Sequence, residues 1–227
     1  MMITKKLAAL ERIYDIYDSF CTSLDVACEK TCAHCCTTNV TLTTLEAYKI
    51  VDHLSRAGGL DIIEGLKELT AIPRYQPQIS TNRLAELYAA EAKVPEDEIV
   101  SESHECALLS ENLCAIYSQR PFGCRCFVSR KNCAEAGYAD IDDFTASVNT
   151  VFLQTIEHLD ADGCSGNLID VLQVMASGNN RQAYERGELK CENNGLIVNW
   201  SLKVLMIPPE HRSKMEPILE ELRRIKI

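Results

Sequence analysis

Apolar side chains return every three or four positions through the first twenty residues. Leu7, Leu10, Ile13, Tyr14 and Tyr17 fall on one face, with Lys5, Lys6, Glu11 and Arg12 largely opposite. That spacing predicts an amphipathic helix ending near Cys21. A second helix is announced by Thr43 or Thr44 as N-cap with Glu46 following, and Gly58-Gly59 stops it. Residues 60–71 and 81–93 are helical by pattern, interrupted between them by Pro73 and Pro77. After Pro95 the pattern changes. Residues 106–117 read as two short extended pieces around the turn Ser110-Glu111-Asn112, with a cysteine at an equivalent point of each arm. Helical spacing returns over 141–159, 165–177 and 208–226, the last entered through Pro208-Pro209 and carrying Arg223, Arg224 and Lys226 near its end. Neither an internal repeat nor a low-complexity linker is visible. The expected architecture is one mainly α domain over 1–227 with a small β-hairpin. Within it, a metal-stabilised cysteine-cluster module at 26–133 is packed by C-terminal helices over 140–227.

Composition narrows the function classes. Apolar residues make up 46% of the 227 positions and charged residues 25%, ordinary fractions for a globular chain. Acidic side chains outnumber basic ones 33 to 23, and the net charge of −10 argues against nucleic acid or an anionic membrane as a partner. Glu11, Arg12 and Asp15 arrive too early for a signal-peptide apolar stretch, and the longest apolar runs fall far short of a membrane span. A cytoplasmic location is therefore expected. There are 12 cysteines. In a reducing compartment these are expected to be metal ligands or buried apolar residues instead of a disulfide framework.

The cysteines fall in groups. Cys28, Cys32, Cys35 and Cys36 form C-x3-C-x2-C-C, while Cys106, Cys114, Cys124, Cys126 and Cys133 form a second group; Cys21, Cys164 and Cys191 stand apart. On a straight helix the first four would share a stripe about 12 Å long. One tetrahedral ion with sulfur at about 2.3 Å cannot bridge that span. Either the segment folds back as a loop or its thiols serve more than one centre. The residues between them, including Glu29, Lys30, His34 and Thr37, are poor core material. In the second group Arg120-Pro121 sets a rigid entry into the turn of Cys124, and Arg120 or Arg125 can offset thiolate charge. His34 and His104 lie beside these cysteines, with exposed or supporting roles expected. Trp200, Tyr75, Tyr88, Tyr138 and Tyr184 are scattered and expected in the core. Glu96-Asp97-Glu98 and Asp140-Ile141-Asp142-Asp143 read as a solvated face and a helix start.

On Cys28, Cys32, Cys35 and Cys36, and on Cys106, Leu109, Cys114, Ile116, Tyr117, Arg120, Pro121, Cys124 and Arg125, the chain resembles the YkgJ-like CxxCxxCC cysteine-cluster family, described as a zinc- or iron-chelating domain. The likeness covers about residues 26–130, and the first spacing here is three residues where the family has two. It implies metal binding. Some relatives look like flagellin lysine N-methylases, which implies, as an alternative, an iron–sulfur-dependent protein lysine methyltransferase using S-adenosylmethionine and a protein substrate. The C-x3-C-x2-C spacing also resembles the radical-SAM motif, but helices lead in and follow where that fold needs βα units. The expected ligands are Cys28, Cys32, Cys35, Cys36, Cys106, Cys114, Cys124 and Cys126. Either a four-iron, four-sulfur cluster or zinc suits them, since both take thiolate.

If these thiols organise the fold, Cys35→Ala or Cys124→Ala will lose metal and most of the folded population together, because such binding is worth on the order of 10 kcal/mol of folding free energy. Metal analysis and a thermal melt read this. Unchanged metal content and melting temperature in both variants would refute it, and so would loss of metal on replacing Cys164 or Cys191.

Overall fold

A computed structural model describes residues 2–96 and 104–225, with the side chain of Asn193 excepted. Asp97 and Glu98 of the first acidic stretch lie outside the described residues. The chain is mainly helical with small antiparallel sheets. In order it runs α1 (Ile3–Cys21), β1 (Thr41–Thr43), α2 (Thr44–Ala57), α3 (Leu60–Gly65), α4 (Thr81–Ala89), β2 (Leu109–Ser110), β3 (Leu113–Cys114), α5 (Phe122–Arg125), α6 (Cys133–Ala136), α7 (Asp143–Leu159), β4 (Cys164–Asn167), α8 (Leu168–Ala176), α9 (Gly178–Glu185), β5 (Ile197–Val198) and α10 (Arg212–Arg223). Among the described residues no helix is long and apolar enough to cross a membrane.

The first helix ends where its pattern predicts, and Leu10, Ile13 and Tyr17 are fully buried. Tyr17 meets Phe122 edge-on at 4.7 Å between ring centroids and Phe152 at 5.1 Å. This aromatic cluster joins α1, α5 and α7. Thr43 and Glu46 form the expected capping box of α2, and Gly58 closes that helix at φ +73°, a left-handed turn that glycine adopts freely. Residues 60–71 begin as α3 and tighten into a 3₁₀ stretch over Leu66–Ala71. The hairpin β2–β3 pairs Leu109 with Cys114, and its two loop residues, Glu111 and Asn112, both have positive φ. Such a loop suits the right-handed twist of a two-residue hairpin. Asp142 caps α7 through the Thr145 amide and Asp140 pairs with Arg130, so the second acidic stretch is a helix start as expected.

The predicted helix over 165–177 differs from what forms. Residues 164–167 are a strand, at the centre of a sheet ordered β1-β4-β5, and the helix starts only at Leu168. Gly166 and Asn167 explain the difference. A Cβ on Gly166 would sit 2.6 Å from Leu196 Cδ2, so glycine here leaves room for the Leu196 side chain to lie against the strand. Asn167 caps α8 by accepting from the Ile169 amide. The aromatic expectation also fails in part: Tyr88 and Tyr138 are largely exposed, and Trp200 is packed under Arg83 at the surface. Cys164 and Cys191, which stand apart from the expected ligands, are joined as a disulfide across 27 residues, a use that the reading of the cysteines as metal ligands or buried apolar residues did not include.

Asp160, at the C-terminal end of α7, is wholly buried. Its carboxylate accepts from Thr44 Oγ1 at 2.7 Å, the Leu45 amide at 3.0 Å, Asn199 Nδ2 at 3.2 Å and the Tyr184 hydroxyl, with Lys6 Nζ at 3.9 Å. One side chain thereby ties α1, α2, α7, α9 and the segment after β5. Gly163 must be glycine here, since a Cβ would meet Thr44 Oγ1 at 2.3 Å. Burial pushes the Asp160 carboxyl up to about 6, partly opposed by these donors. The folded state then holds this proton where the unfolded chain has released it, between about pH 4 and pH 6. Relative to Asp160→Asn, which cannot titrate, the parent chain should lose up to about 3 kcal/mol as pH rises through that window. Chemical denaturation of both at pH 4 and pH 7 measures it; a pH-independent difference would contradict the assignment.

Candidate metal centre

The segment after α1 carries no helix across Cys28–Cys36, which settles how its four cysteines are held. Its amides turn back on it, Cys32 to the Glu29 carbonyl at 3.0 Å and Cys36 to the Ala33 carbonyl at 2.9 Å. The stripe of a straight helix is thus replaced by a folded loop. At its end a short antiparallel ladder joins it to the hairpin segment. The Thr38 amide donates to the His104 carbonyl and the Cys106 amide to the Cys36 carbonyl, both at 2.9 Å, around a bridge between Thr37 and Glu105. Cys36 and Cys106 are seventy positions apart in the sequence, yet their backbones are hydrogen-bonded. On the other side the Ala27 amide donates to the Ser129 carbonyl at 2.8 Å. Asn167 anchors the ladder to the sheet, donating to the Thr38 carbonyl at 2.7 Å.

The loop and the hairpin segment enclose a cleft of about 220 Å³. Cys28, Cys32, Cys35 and Cys36 line it from the loop, and Cys106, Cys114 and Cys124 from the hairpin segment and α5. Seven of the eight expected ligands therefore share one wall. Cys126, the eighth, is not on that wall; its thiol lies 3.6 Å from the Gly123 carbonyl. Cys21 is on the wall although its spacing set it apart. The signal for Cys21 lay in helical periodicity: it stands four residues after buried Tyr17, on the same face of α1. Among the described residues no three Cys, His, Asp or Glu side chains already surround a common point as ligands would. Eight of the residues lining the cleft are cysteines, a donor type that suits a soft ion.

Local sequence prepares individual sulfurs. In Cys106-Ala-Leu108 and Cys114-Ala-Ile116 the amide two residues on donates to the cysteine sulfur, and the Ser129 amide does the same for Cys28. Amide donors favour the thiolate form. Burial works the other way, pushing Cys28, Cys106, Cys114 and Cys124 above the ordinary thiol range and Cys126 up to about 12. Cys35 is raised chiefly because its thiol donates to Cys36, and the same bond lowers Cys36. Most of these groups hold protons at neutral pH when no cation is bound.

The two arginines divide their work. Arg120 stacks on the Tyr117 ring at 3.8 Å, and its charge favours the thiolates of Cys35, Cys114 and Cys124. Arg125 buckles the turn, donating to the Arg120 carbonyl at 2.9 Å and the Ser118 carbonyl at 3.1 Å while covering the Tyr14 ring. His34 is exposed, and His104 enters the ladder through its carbonyl, in line with the roles expected for them. No protein-family model, curated protein or solved structure matches the chain.

Buried Glu46 places α5, and with it Cys124. One oxygen accepts from the Phe122 amide at 2.7 Å and the Tyr14 hydroxyl at 2.8 Å; the other accepts from the Thr43 amide at 2.9 Å and its hydroxyl at 3.0 Å. A neutral amide of the same shape turns an NH₂ group toward two of those donors. Glu46→Gln should therefore cost roughly 2–3 kcal/mol and weaken retention of metal by α5. Unfolding and metal-retention assays read both, and a variant equal to the parent in each would remove Glu46 from this role.

Proposed function

We propose that this protein is a metal-binding cysteine-cluster protein whose cleft holds an iron–sulfur or zinc centre through thiolates of both cysteine groups. The observation that carries the reading is the shared cleft: cysteines from two distant parts of the chain line it, while none of the cleft cysteines is used in a disulfide. Cys28, Cys32, Cys35, Cys36, Cys106, Cys114 and Cys124 would supply the ligands. A bound soft cation would exchange the protons of these thiols for metal–sulfur bonds, and Arg120 would offset the resulting negative charge. The resemblance to the zinc- or iron-chelating family supports the same reading. Metal stabilisation of the fold follows, because the centre would fasten the 22–40 loop to the hairpin segment.

Anaerobic purification followed by metal analysis and absorption spectroscopy tests this. A brown, oxygen-sensitive sample indicates iron–sulfur, and a colourless one with firmly held zinc indicates zinc; protein that holds neither metal as isolated or after reconstitution would overturn the proposal. Because burial keeps the thiols protonated, binding should release protons and strengthen as pH rises from 6 to 8. Calorimetric titration in two buffers of different ionisation enthalpy counts the protons. A heat independent of buffer would contradict thiol ligation.

A further inference from the structure

Sulfur is only part of the cleft. Val40, Leu108 and Ile116 line it from the hydrophobic core, and Val26, Val128 and the exposed Phe127 continue the apolar wall. Its volume of about 220 Å³ far exceeds the roughly 10–15 Å³ that one water needs, and an ion held by sulfur at about 2.3 Å would fill little of it. Three cations and two carboxylates share this lining, whereas in the whole chain acids outnumber bases 33 to 23. Of the carboxylates, Asp18 is taken by Arg125 at 3.2 Å and Glu29 is exposed. Arg125 is fully engaged: its nitrogens donate to the Arg120 and Ser118 carbonyls and to Asp18. Arg120 is not. Its Nε donates to the Tyr117 carbonyl at 3.1 Å, and among the described residues no acceptor takes its two terminal amino groups. Lys30 Nζ lies 5.4 Å from the same Tyr117 ring that Arg120 covers at 3.8 Å, and neither cation pairs with a carboxylate of the described residues.

Going beyond the metal-binding role, we infer that the cleft also takes a small organic carboxylate with an apolar body, its head on Arg120 and Lys30 and its body along Val26, Leu108 and Phe127. The two free amino groups of Arg120 are the parallel donors that a carboxylate meets with both of its oxygens. Their position is preset. Stacking on Tyr117 and the Nε bond fix the guanidinium, while Arg125 Nε holds the Arg120 carbonyl at 2.9 Å. Lys30 adds a second, more flexible positive charge beside the same ring. An apolar lining with a few placed polar groups is the usual make-up of a small-molecule site. A short anion without an apolar body would gain the charge alone, and a neutral apolar molecule would leave Arg120 without its partner.

Calorimetric titration of the full chain under anaerobic reducing conditions, with sodium hexanoate, sodium acetate and 1-hexanol as probes, decides the matter. Hexanoate should bind at least about tenfold more tightly than either of the others, since it alone offers both charge and apolar surface. Arg120→Gln should weaken hexanoate by about tenfold or more and Lys30→Gln by about threefold, while Arg130→Gln, outside the cleft, should leave it unchanged. Circular dichroism checks that each variant is folded. Should Arg120→Gln fail to fold, Lys30→Gln and nuclear Overhauser contacts from the hexanoate methyl to the Phe127 ring carry the test. Hexanoate that binds no better than acetate and hexanol, that a folded Arg120→Gln holds as tightly as the parent, or that shows no contact with Phe127 would overturn the inference. Zinc and iron counted on the same samples keep the two readings apart: metal bound without hexanoate overturns this inference alone, and hexanoate bound by protein that takes no metal overturns the metal-binding role alone.

Discussion

The pairing of residues 36–38 with 104–106 is the constraint on which the rest of the site depends. Two amide bonds and one bridge draw together cysteine groups that the sequence keeps far apart. Closing so long a loop costs conformational entropy that a few hydrogen bonds, each of net value near 1 kcal/mol, do not offset alone. The ladder is held from outside. Asn167 of the central sheet grips the Thr38 carbonyl, the Val40 carbonyl accepts from the Leu168 amide, and Ile116 and Leu108 are buried in the common hydrophobic cluster. A soft cation in the cleft would add a further tie between the two groups.

Two buried carboxylates do the remaining positioning. Asp160 gathers the elements around the sheet and Glu46 gathers those around α5, each with several donors per carboxylate. Such fully satisfied polar centres fix the relative placement of helices more sharply than apolar contact does, because removing any partner leaves a donor or charge buried without compensation. Glu46 illustrates the economy of the design. It completes the capping box of α2 and, with its other oxygen, receives the first amide of α5, so the same residue that starts one helix aims the helix bearing Cys124.

Much of this was legible in the chain. The periodicity of residues 3–21 marked α1, the Thr43–Glu46 signature marked α2, and the Ser110-Glu111-Asn112 turn marked the hairpin, because each is a local signal with a local cause. The three-stranded sheet was hidden. Its strands are two to four residues long and come from opposite ends of the chain, and the Cys164–Asn167 strand passes directly into α8, so the apolar spacing of the helix masks it. The cysteine groups were visible as spacing, but spacing does not assign neighbours. Cys21 reaches the cleft through the face of α1, and Cys126, which follows α5, lies off the cleft wall although Cys21 and Cys35 are near it. The Cys164–Cys191 pair brings together β4 and the segment leading to β5, a tertiary fact with no sequence period.

The most direct test of the central claim is X-ray absorption at the metal edge of the protein as isolated without oxygen. A first coordination shell made of sulfur alone, near 2.3 Å, is the predicted result. A shell of nitrogen or oxygen, or metal no more abundant than in a control protein, would contradict a centre built on these thiols.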